Sequence, residues 1–172
     1  MDKIETVLRG IEEFGRDNFM FNIPRETGIF LHLLVKIMKP KKILEVGTSN
    51  GYSTIWLGRE GNKVITVEEN KIKARMAKKN FENAGLKNIK LVEGDALKVL
   101  EKLKEKFDFV FIDARKKDYL KYLKKINVKG IVIADNILSH KEDLVDYVGY
   151  VRKNYDSSLI EIGTGVEVSI VR

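Results

Sequence analysis

Apolar residues along the chain follow two periods, which divide the sequence into a short helical segment and a repeating core. In residues 2–17 they recur every three or four positions, as is typical of an amphipathic helix. A second helix is predicted from Pro24 to about Met38, because proline suits a first helical turn and Lys39-Pro40 ends the pattern. From residue 41 onward, short apolar runs alternate with helical patterns.

This alternation predicts the fold. Strands are predicted at 42–46, 63–68, 89–93, 107–112, 129–134, 159–162 and 165–171, and helices between the first six at about 51–59, 70–84, 95–104, 116–125 and 141–154. Strand–helix repetition indicates a parallel sheet covered on both faces, and Gly163-Thr164-Gly165 is typical of a hairpin turn. We therefore predict one α/β domain over 1–172, with two N-terminal helices in 1–40. Residues 41–172 would form a doubly wound, mostly parallel seven-stranded, Rossmann-like sheet with a C-terminal antiparallel hairpin.

The first core strand ends in a loop bracketed by Gly47 and Gly51. In open parallel sheets, ligands bind beyond the carboxyl ends of the strands, where this loop would lie. Its Gly-x-x-x-Gly spacing differs from the Gly-x-Gly-x-x-Gly of dinucleotide-binding loops, and Glu45 would repel a diphosphate. A ligand with positive charge and no phosphate removes that conflict, and S-adenosylmethionine is such a ligand.

Acidic residues also end the second and third core strands. Glu68 ends the second strand, where an acid in doubly wound folds accepts hydrogen bonds from ribose hydroxyls. Asp95 follows Gly94, and either a helix N-cap or a contact with the adenine amino group would explain it. Glu45 is predicted to contact the cofactor, because a carboxylate within an apolar strand costs desolvation unless a cation meets it.

Asp113 ends the fourth strand, and Asp135-Asn136 ends the fifth. Adjacent parallel strands lie about 4.8 Å apart, so these three side chains can converge. Two carboxylates and an amide oxygen suit Mg²⁺, although each acid could instead only cap the following helix. Lys116 lies three residues after Asp113. It is either a solvated lysine or, beside a cation that disfavours its charged form, a base.

Composition changes this picture little. The chain of 172 residues is 44% hydrophobic and 33% charged, which is typical of a globular domain, and it contains no cysteine for disulfides or thiolate chemistry. No apolar run is long enough to cross a bilayer, and residues 1–5 do not have the pattern of a secretory signal, so we expect a cytoplasmic protein without a membrane partner. The net charge of +7 fits either a polyanionic partner or a solvated, lysine-rich surface.

Three motifs together resemble the cation-dependent, class I S-adenosylmethionine O-methyltransferases, the group of the catechol and caffeoyl-coenzyme A enzymes. They are Leu44-Glu45-Val46-Gly47-Thr48 followed by Gly51-Tyr52-Ser53, then Phe111-Ile112-Asp113-Ala114, and finally Ala134-Asp135-Asn136. The resemblance runs from about Ile23 to the C-terminus. It implies the class I methyltransferase fold and an enzyme that methylates a hydroxyl group.

The resemblance also implies roles for the matched residues. The first loop would hold the methionine end of the cofactor, Glu68 the ribose and Asp95-Ala96 the adenine. The predicted cofactor-binding set is Glu45, Gly47, Thr48, Gly51, Tyr52, Ser53, Glu68, Gly94, Asp95, Ala96 and Asp113. Mg²⁺ or a similar divalent cation would be held by Asp113, Asp135 and Asn136, and Lys116 would be the general base.

The chain departs from the family pattern where the acceptor pocket is expected. Arg115 and Ser139 occupy positions that often carry other residue types, and the stretch after Asn136 and the N-terminus are shorter than usual. The expected acceptor is a small, catechol-like hydroxyl compound. Basic residues on the helices at 70–84 and 116–125 keep a hydroxylated nucleoside in tRNA as an alternative.

Two further functions stay open, binding of S-adenosylmethionine without efficient catalysis and nicotinamide-dependent dehydrogenation. Because the family often forms dimers, a homodimer is expected.

Overall fold

Two helices precede the sheet in the structure, a computed structural model that describes residues 2–172. Helix α1 (Lys3–Asp17) begins after Asp2, whose carboxylate accepts a hydrogen bond from the backbone N–H of Ile4. Helix α2 (Arg25–Met38) begins after Pro24 and ends at Lys39, which has a left-handed backbone conformation. Both predicted N-terminal helices are confirmed.

The core is one seven-stranded sheet. Its strands are β1 (Lys42–Val46), β2 (Lys63–Glu68), β3 (Ile89–Glu93), β4 (Lys106–Ile112), β5 (Asn127–Ala134), β6 (Tyr155–Ile160) and β7 (Val166–Val171). They lie in the order β3-β2-β1-β4-β5-β7-β6, with β1 to β5 parallel and β7 antiparallel to both its neighbours. The predicted Rossmann-like sheet and terminal hairpin are confirmed. Strand order reverses between β1 and β4, which is where such folds open a ligand crevice.

Helices cover both faces of this sheet. Those that follow strands are α3 (Tyr52–Gly58), α4 (Lys71–Ala84), α5 (Ala96–Lys102), α6 (Tyr119–Lys125), which a 3₁₀ turn at Lys116–Asp118 precedes, and α7 (Val145–Asn154). Alternate residues of β1 and β4 enter two separate cores. Ile43 and Phe109 pack with α1 to α4, whereas Leu44 and Val110 pack with α5 to α7. Strands buried on both faces explain the continuous apolar runs of the sequence.

The largest boundary errors lie near the C-terminus. Strand β6 begins at Tyr155 and not at residue 159, and α7 begins at Val145 because turns occupy the residues before it. Strand β6 is an edge strand that pairs only with β7, and its Asp156, Ser157 and Ser158 are polar. An edge strand needs little apolar surface, so hydrophobic patterning underestimates its length.

Two features of the helices concern the expectations about a membrane and about a homodimer. Within residues 2–172, no helix combines the length and apolar character that a membrane crossing requires. Helix α2 exposes Ile29, Leu33 and Ile37 at four-residue spacing, on its side away from the core. The expected homodimer and cytoplasmic location stay predictions.

Candidate active site

A cavity of about 360 Å³ opens at the carboxyl ends of β1, β2 and β4. It lies where the strand order reverses, beyond the carboxyl ends of the strands, where the sequence predicts a ligand. The predicted cofactor residues that line it are Gly47, Thr48, Tyr52, Ser53, Glu68, Ala96 and Asp113. Four predicted cofactor residues, Glu45, Gly51, Gly94 and Asp95, lie outside its lining.

The loop from β1 to α3 packs so tightly that its two glycines are required. Gly47 has φ +103°, and a Cβ there would lie 2.0 Å from the carbonyl oxygen of Asp113. Gly51 has φ +89°, and its Cβ would lie 2.5 Å from the ring of Phe81. Both backbone conformations favour glycine. Gly51 therefore shapes the loop without lining the cavity, and Gly47 brings the loop against the end of β4.

Glu45 is fully buried beneath this loop. Its carboxylate accepts hydrogen bonds from the hydroxyls of Ser53 and Thr66, each at 2.6 Å, and from that of Thr54. Burial raises the pKa of Glu45 to about 7, and the negative charge of Asp113 also raises it. Three hydroxyls thus donate to the carboxylate for which the sequence predicted a cationic partner. Glu45 reaches the cavity through Ser53, and its direct contact with a cofactor stays a prediction.

Glu68 forms the wall of the cavity at the end of β2. One carboxylate oxygen accepts a hydrogen bond from the N–H of Ser49 at 2.7 Å, and the other accepts one from the N–H of Asn70 at 2.9 Å. Each oxygen keeps a further lone pair for a ligand. The carboxylate is therefore fixed in place and can still accept hydrogen bonds from a ribose.

Asp95 is the N-cap of α5. Its side chain accepts a hydrogen bond from the N–H of Lys98 at 3.0 Å, and Ala96, the next residue, lines the cavity. Of the two explanations left open for Asp95, the helix cap is the one observed. A contact between Gly94 or Asp95 and adenine stays a prediction.

The ends of β4 and β5 place two carboxylates side by side. Ile112 pairs with Ala134 in the sheet, so Asp113 and Asp135 follow paired residues. Burial raises the pKa of Asp135 to about 6, and the negative charge of Asp113 is the next contribution. Asn136, with φ +67°, turns out of the strand beside them, in a conformation that asparagine tolerates.

These residues fit a hard divalent cation. The Oδ1 atom of Asn136 is buried and has no hydrogen-bond partner among residues 2–172. Neighbouring carboxylates repel each other unless a cation or a proton neutralises them. Over residues 2–172 there is no group of three or more His, Cys, Asp or Glu side chains that could hold a metal. The predicted set therefore depends on the amide oxygen as its third protein ligand, which oxygen-binding cations accept.

Lys116 is paired with a carboxylate and largely removed from solvent. Its Nζ donates a hydrogen bond to Oδ1 of Asp113 at 2.9 Å and lies 5.5 Å from the ring centre of Tyr119. The side chain is 18% exposed. The structure thus places Lys116 at Asp113, and its role as a general base stays a prediction.

Several lining residues were missed from the sequence. Asn50 is 1% exposed, and its buried Nδ2 has no hydrogen-bond partner in the described part of the chain, which leaves a donor for a ligand. Its place between Gly47 and Gly51 could have identified it. Phe21, which is 93% exposed, lines the cavity from the segment between α1 and α2, and no local pattern places it there.

The N-terminal helices are also fastened to the cavity. The hydroxyl of Tyr52, at the start of α3, donates to Glu12 of α1, and Arg25 of α2 donates to the same carboxylate at 2.7 Å. Burial and this contact raise the pKa of Tyr52. One carboxylate therefore joins α1 and α2 to the start of α3 beside the cavity.

Comparisons with known sequences match the chain to one family. The sequence model of a family described as O-methyltransferase matches residues 7–155. The catechol O-methyltransferase of Niastella koreensis is 37% identical over 68% of this chain and 58% of its own length. The flavonoid 3',5'-methyltransferase of Vitis vinifera is 33% identical over 81% of the chain and 70% of its own length. With the Niastella protein the match thus spans less than two thirds of the relative.

Solved structures match over nearly the whole chain. An O-methyltransferase from Bacillus cereus in complex with SAH (S-adenosylhomocysteine) has a TM-score of 0.86 and 26% identity, over 97% of this chain and 91% of that one. The O-methyltransferase of tomaymycin synthesis from Streptomyces achromogenes, in complex with SAM (S-adenosylmethionine), has a TM-score of 0.84 and 25% identity, over 99% and 90%.

Proposed function

We propose, because this chain belongs to the O-methyltransferase family, that it transfers the methyl group of SAM to a hydroxyl of a catechol-like small molecule, assisted by a divalent cation. The position of Asp113 carries the proposal. It lines the cavity, and it also lies beside Asp135 and Lys116. A methyl donor in the cavity and a hydroxyl at the carboxylate pair would therefore meet at Asp113.

The cofactor would lie along the loop that follows β1. The unpartnered Nδ2 of Asn50 and the hydroxyl of Ser53 suit the methionine carboxylate and ammonium, and Glu68 suits the ribose hydroxyls. Ala96 offers the small apolar contact that an adenine ring needs. The SAH and SAM complexes of the solved relatives support this assignment.

The cation, Mg²⁺ or a similar ion, would be held by Asp113, Asp135 and Asn136. When bound, it would supply Lewis-acid polarisation of the acceptor hydroxyl. The protein's own contribution to the reaction is proton transfer and alignment. Lys116, placed at Asp113 by its hydrogen bond, would take the hydroxyl proton when the bound cation disfavours the charged form of the lysine.

The methyl transfer itself is an in-line displacement. The acceptor oxygen forms a bond to the methyl carbon as the carbon–sulfur bond breaks, and the bonding electrons return to sulfur. The sulfonium charge is lost, SAH leaves, and the hydroxyl proton ends on Lys116. Holding oxygen, carbon and sulfur in one line is the main source of rate enhancement in such a site.

The replacement Asp135→Asn tests this proposal, since Asp135 does not line the cofactor cavity. We expect loss of divalent-dependent methylation across a panel of catechols, with SAH affinity unchanged in calorimetry. Asp156→Asn, on the exposed edge strand, is the matched control and should keep full activity. Full activity of Asp135→Asn, or of the unmodified protein in excess chelator, would refute the metal role. Binding of SAH with no methylation of any acceptor would instead select the cofactor-binding alternative.

A hydroxylated nucleoside in tRNA is a second candidate acceptor. Lys73 and Arg115 line the cavity, and Lys71, Arg75 and Lys79 are exposed on the same helix as Lys73. Tyr119 and Tyr122, however, are 0% and 4% exposed, so neither forms a stacking platform on the surface beside these basic residues. Binding to phosphates would weaken steeply as salt rises. Binding of a tRNA pool that shows no salt dependence, or methylation of catechols only, would eliminate this candidate.

A further inference from the structure

The tip of the C-terminal hairpin lies against the segment that follows β5. The N–H of Ile137 donates to the carbonyl of Gly165, and the N–H of Leu138 donates to that of Thr164, both at 2.9 Å. The hairpin tip and the residues after Asn136 therefore form a short backbone ladder. This ladder connects the last two strands to the proposed cation ligands.

Two glycines let the tip fit into a narrow space. Gly163 has φ +54°, and a Cβ there would lie 2.5 Å from Oγ1 of Thr27 in α2. Gly165 has φ +82°, and its Cβ would lie 2.5 Å from Cγ of Leu138. The tip is thus confined on both sides. Thr164, between the two glycines, has a fixed position relative to the end of β5.

The hydroxyl of Thr164 connects two proposed ligands. It donates a hydrogen bond to Oδ1 of Asp135 at 2.7 Å and accepts one from Nδ2 of Asn136 at 3.3 Å. A hydroxyl has one proton to donate. Because that proton is committed to Asp135, the amide of Asn136 must present its NH₂ group to Thr164. Its Oδ1, which is buried and unpartnered, is then the atom left for a cation.

We propose that Thr164 is a positioning residue that orients Asp135 and Asn136 as cation ligands. The inference rests on the proposed function, because it concerns the same cation. Nothing local to β5 fixes which way the Asn136 amide faces, whereas a single hydroxyl from the hairpin fixes it together with the carboxylate. Partners of this kind typically change metal affinity by about 10- to 100-fold when they are removed.

The test replaces Thr164 with valine, which keeps the branched shape and removes the hydroxyl, and with serine, which keeps the hydroxyl. Calorimetry with Mg²⁺ and with Mn²⁺, on the full chain saturated with SAH, measures cation affinity. We expect Thr164→Val to bind each ion at least about tenfold more weakly and Thr164→Ser to retain most of the affinity. Thr6→Val, on the exposed surface of α1, is the control and should bind as the unmodified protein does. SAH affinity, measured separately, should be the same in all four proteins.

The outcomes separate this inference from the proposed function. If the unmodified protein binds neither ion, the cation role fails and the Thr164 inference fails with it. If the unmodified protein binds and Thr164→Val binds equally well, only the Thr164 inference is overturned. Should Thr164→Val not fold, the serine variant decides, because a loss of affinity in a folded Thr164→Ser protein would show that the hydroxyl is not what positions the ligands.

Discussion

At the scale of single residues, the burial of Glu45 makes the stability of the protein depend on pH. Its carboxylate has no exposed surface and receives three hydroxyl hydrogen bonds, yet burial still raises its pKa from 4.5 to about 7. Folding therefore favours the protonated form. The stability associated with that proton is present below the unfolded value near 4.5 and is lost as the pH rises through about 7.

We expect Glu45→Gln to remove this pH dependence. Relative to the variant, the unmodified protein should lose up to roughly 3 kcal/mol of its free energy of unfolding between pH 4.5 and pH 8. Urea unfolding of both proteins across that range measures the difference. Subtracting the two curves removes the titration of Asp135, which both proteins retain. Two parallel curves would show that Glu45 does not change its protonation on folding.

The partners of Glu45 could not be predicted from the sequence. An acid inside an apolar strand predicted a compensating partner, and a partner exists, but it consists of hydroxyls from α3 and β2. Thr54 and Thr66 carry no signal of this role, since isolated threonines are common in helices and strands. The sequence shows that the buried carboxylate of Glu45 needs a polar or charged partner. Tertiary packing decides whether that partner is a cation or a set of hydroxyls.

At the scale of elements, strand ends were more predictable than strand starts. Acids such as Asp113 and Asp135 directly follow apolar runs, and a parallel sheet must bring those ends together. Thr164 could not be predicted as their partner, because it lies 28 residues from Asn136 and reaches it only through the docking of a hairpin. Strand β6 was misplaced because its outer residues are polar and its packing is supplied by a single neighbour.

The loop between β1 and α3 should tolerate no side chain at Gly47. In Gly47→Ala the new Cβ would meet the carbonyl oxygen of Asp113 at 2.0 Å, and φ is +103°, so the loop or the end of β4 must move. We expect a loss of at least about 2 kcal/mol in the free energy of unfolding. We also expect loss of SAH binding, because the loop lines the cavity. Chemical denaturation and calorimetry measure the two effects.

Gly61→Ala is the matched control for that substitution. Gly61 has φ +83°, but no atom of residues 2–172 lies within 4 Å of a Cβ there. Only the cost of the left-handed backbone remains, about 1 kcal/mol, and SAH binding should be unaffected. Equal destabilisation by the two alanines would show that the close contact with Asp113 contributes nothing.

At the scale of the whole molecule, the cavity is lined by residues of the sheet and of helices on both of its faces. Strand ends from the centre of the sheet form its floor, α3 and α5 begin at its edge, and the segment between α1 and α2 closes one side. Glu12 fastens both N-terminal helices to Tyr52 in that wall. A ligand in the cavity therefore contacts the sheet and the segment between α1 and α2 together, and its binding free energy should add to the stability of the folded domain.

Thermal unfolding with ligands tests this coupling and the choice of cofactor together. SAH at about 100 times its dissociation constant should stabilise the folded state by about 2.7 kcal/mol, a shift of roughly 5–10 °C in Tm for a chain of this size. NAD should shift Tm less at equal concentration. The Gly-x-x-x-Gly loop lacks the fingerprint that seats a diphosphate on helix N–H groups. A larger shift with NAD than with SAH would favour the dehydrogenase alternative, because only a ligand that binds the folded state more tightly can stabilise it more.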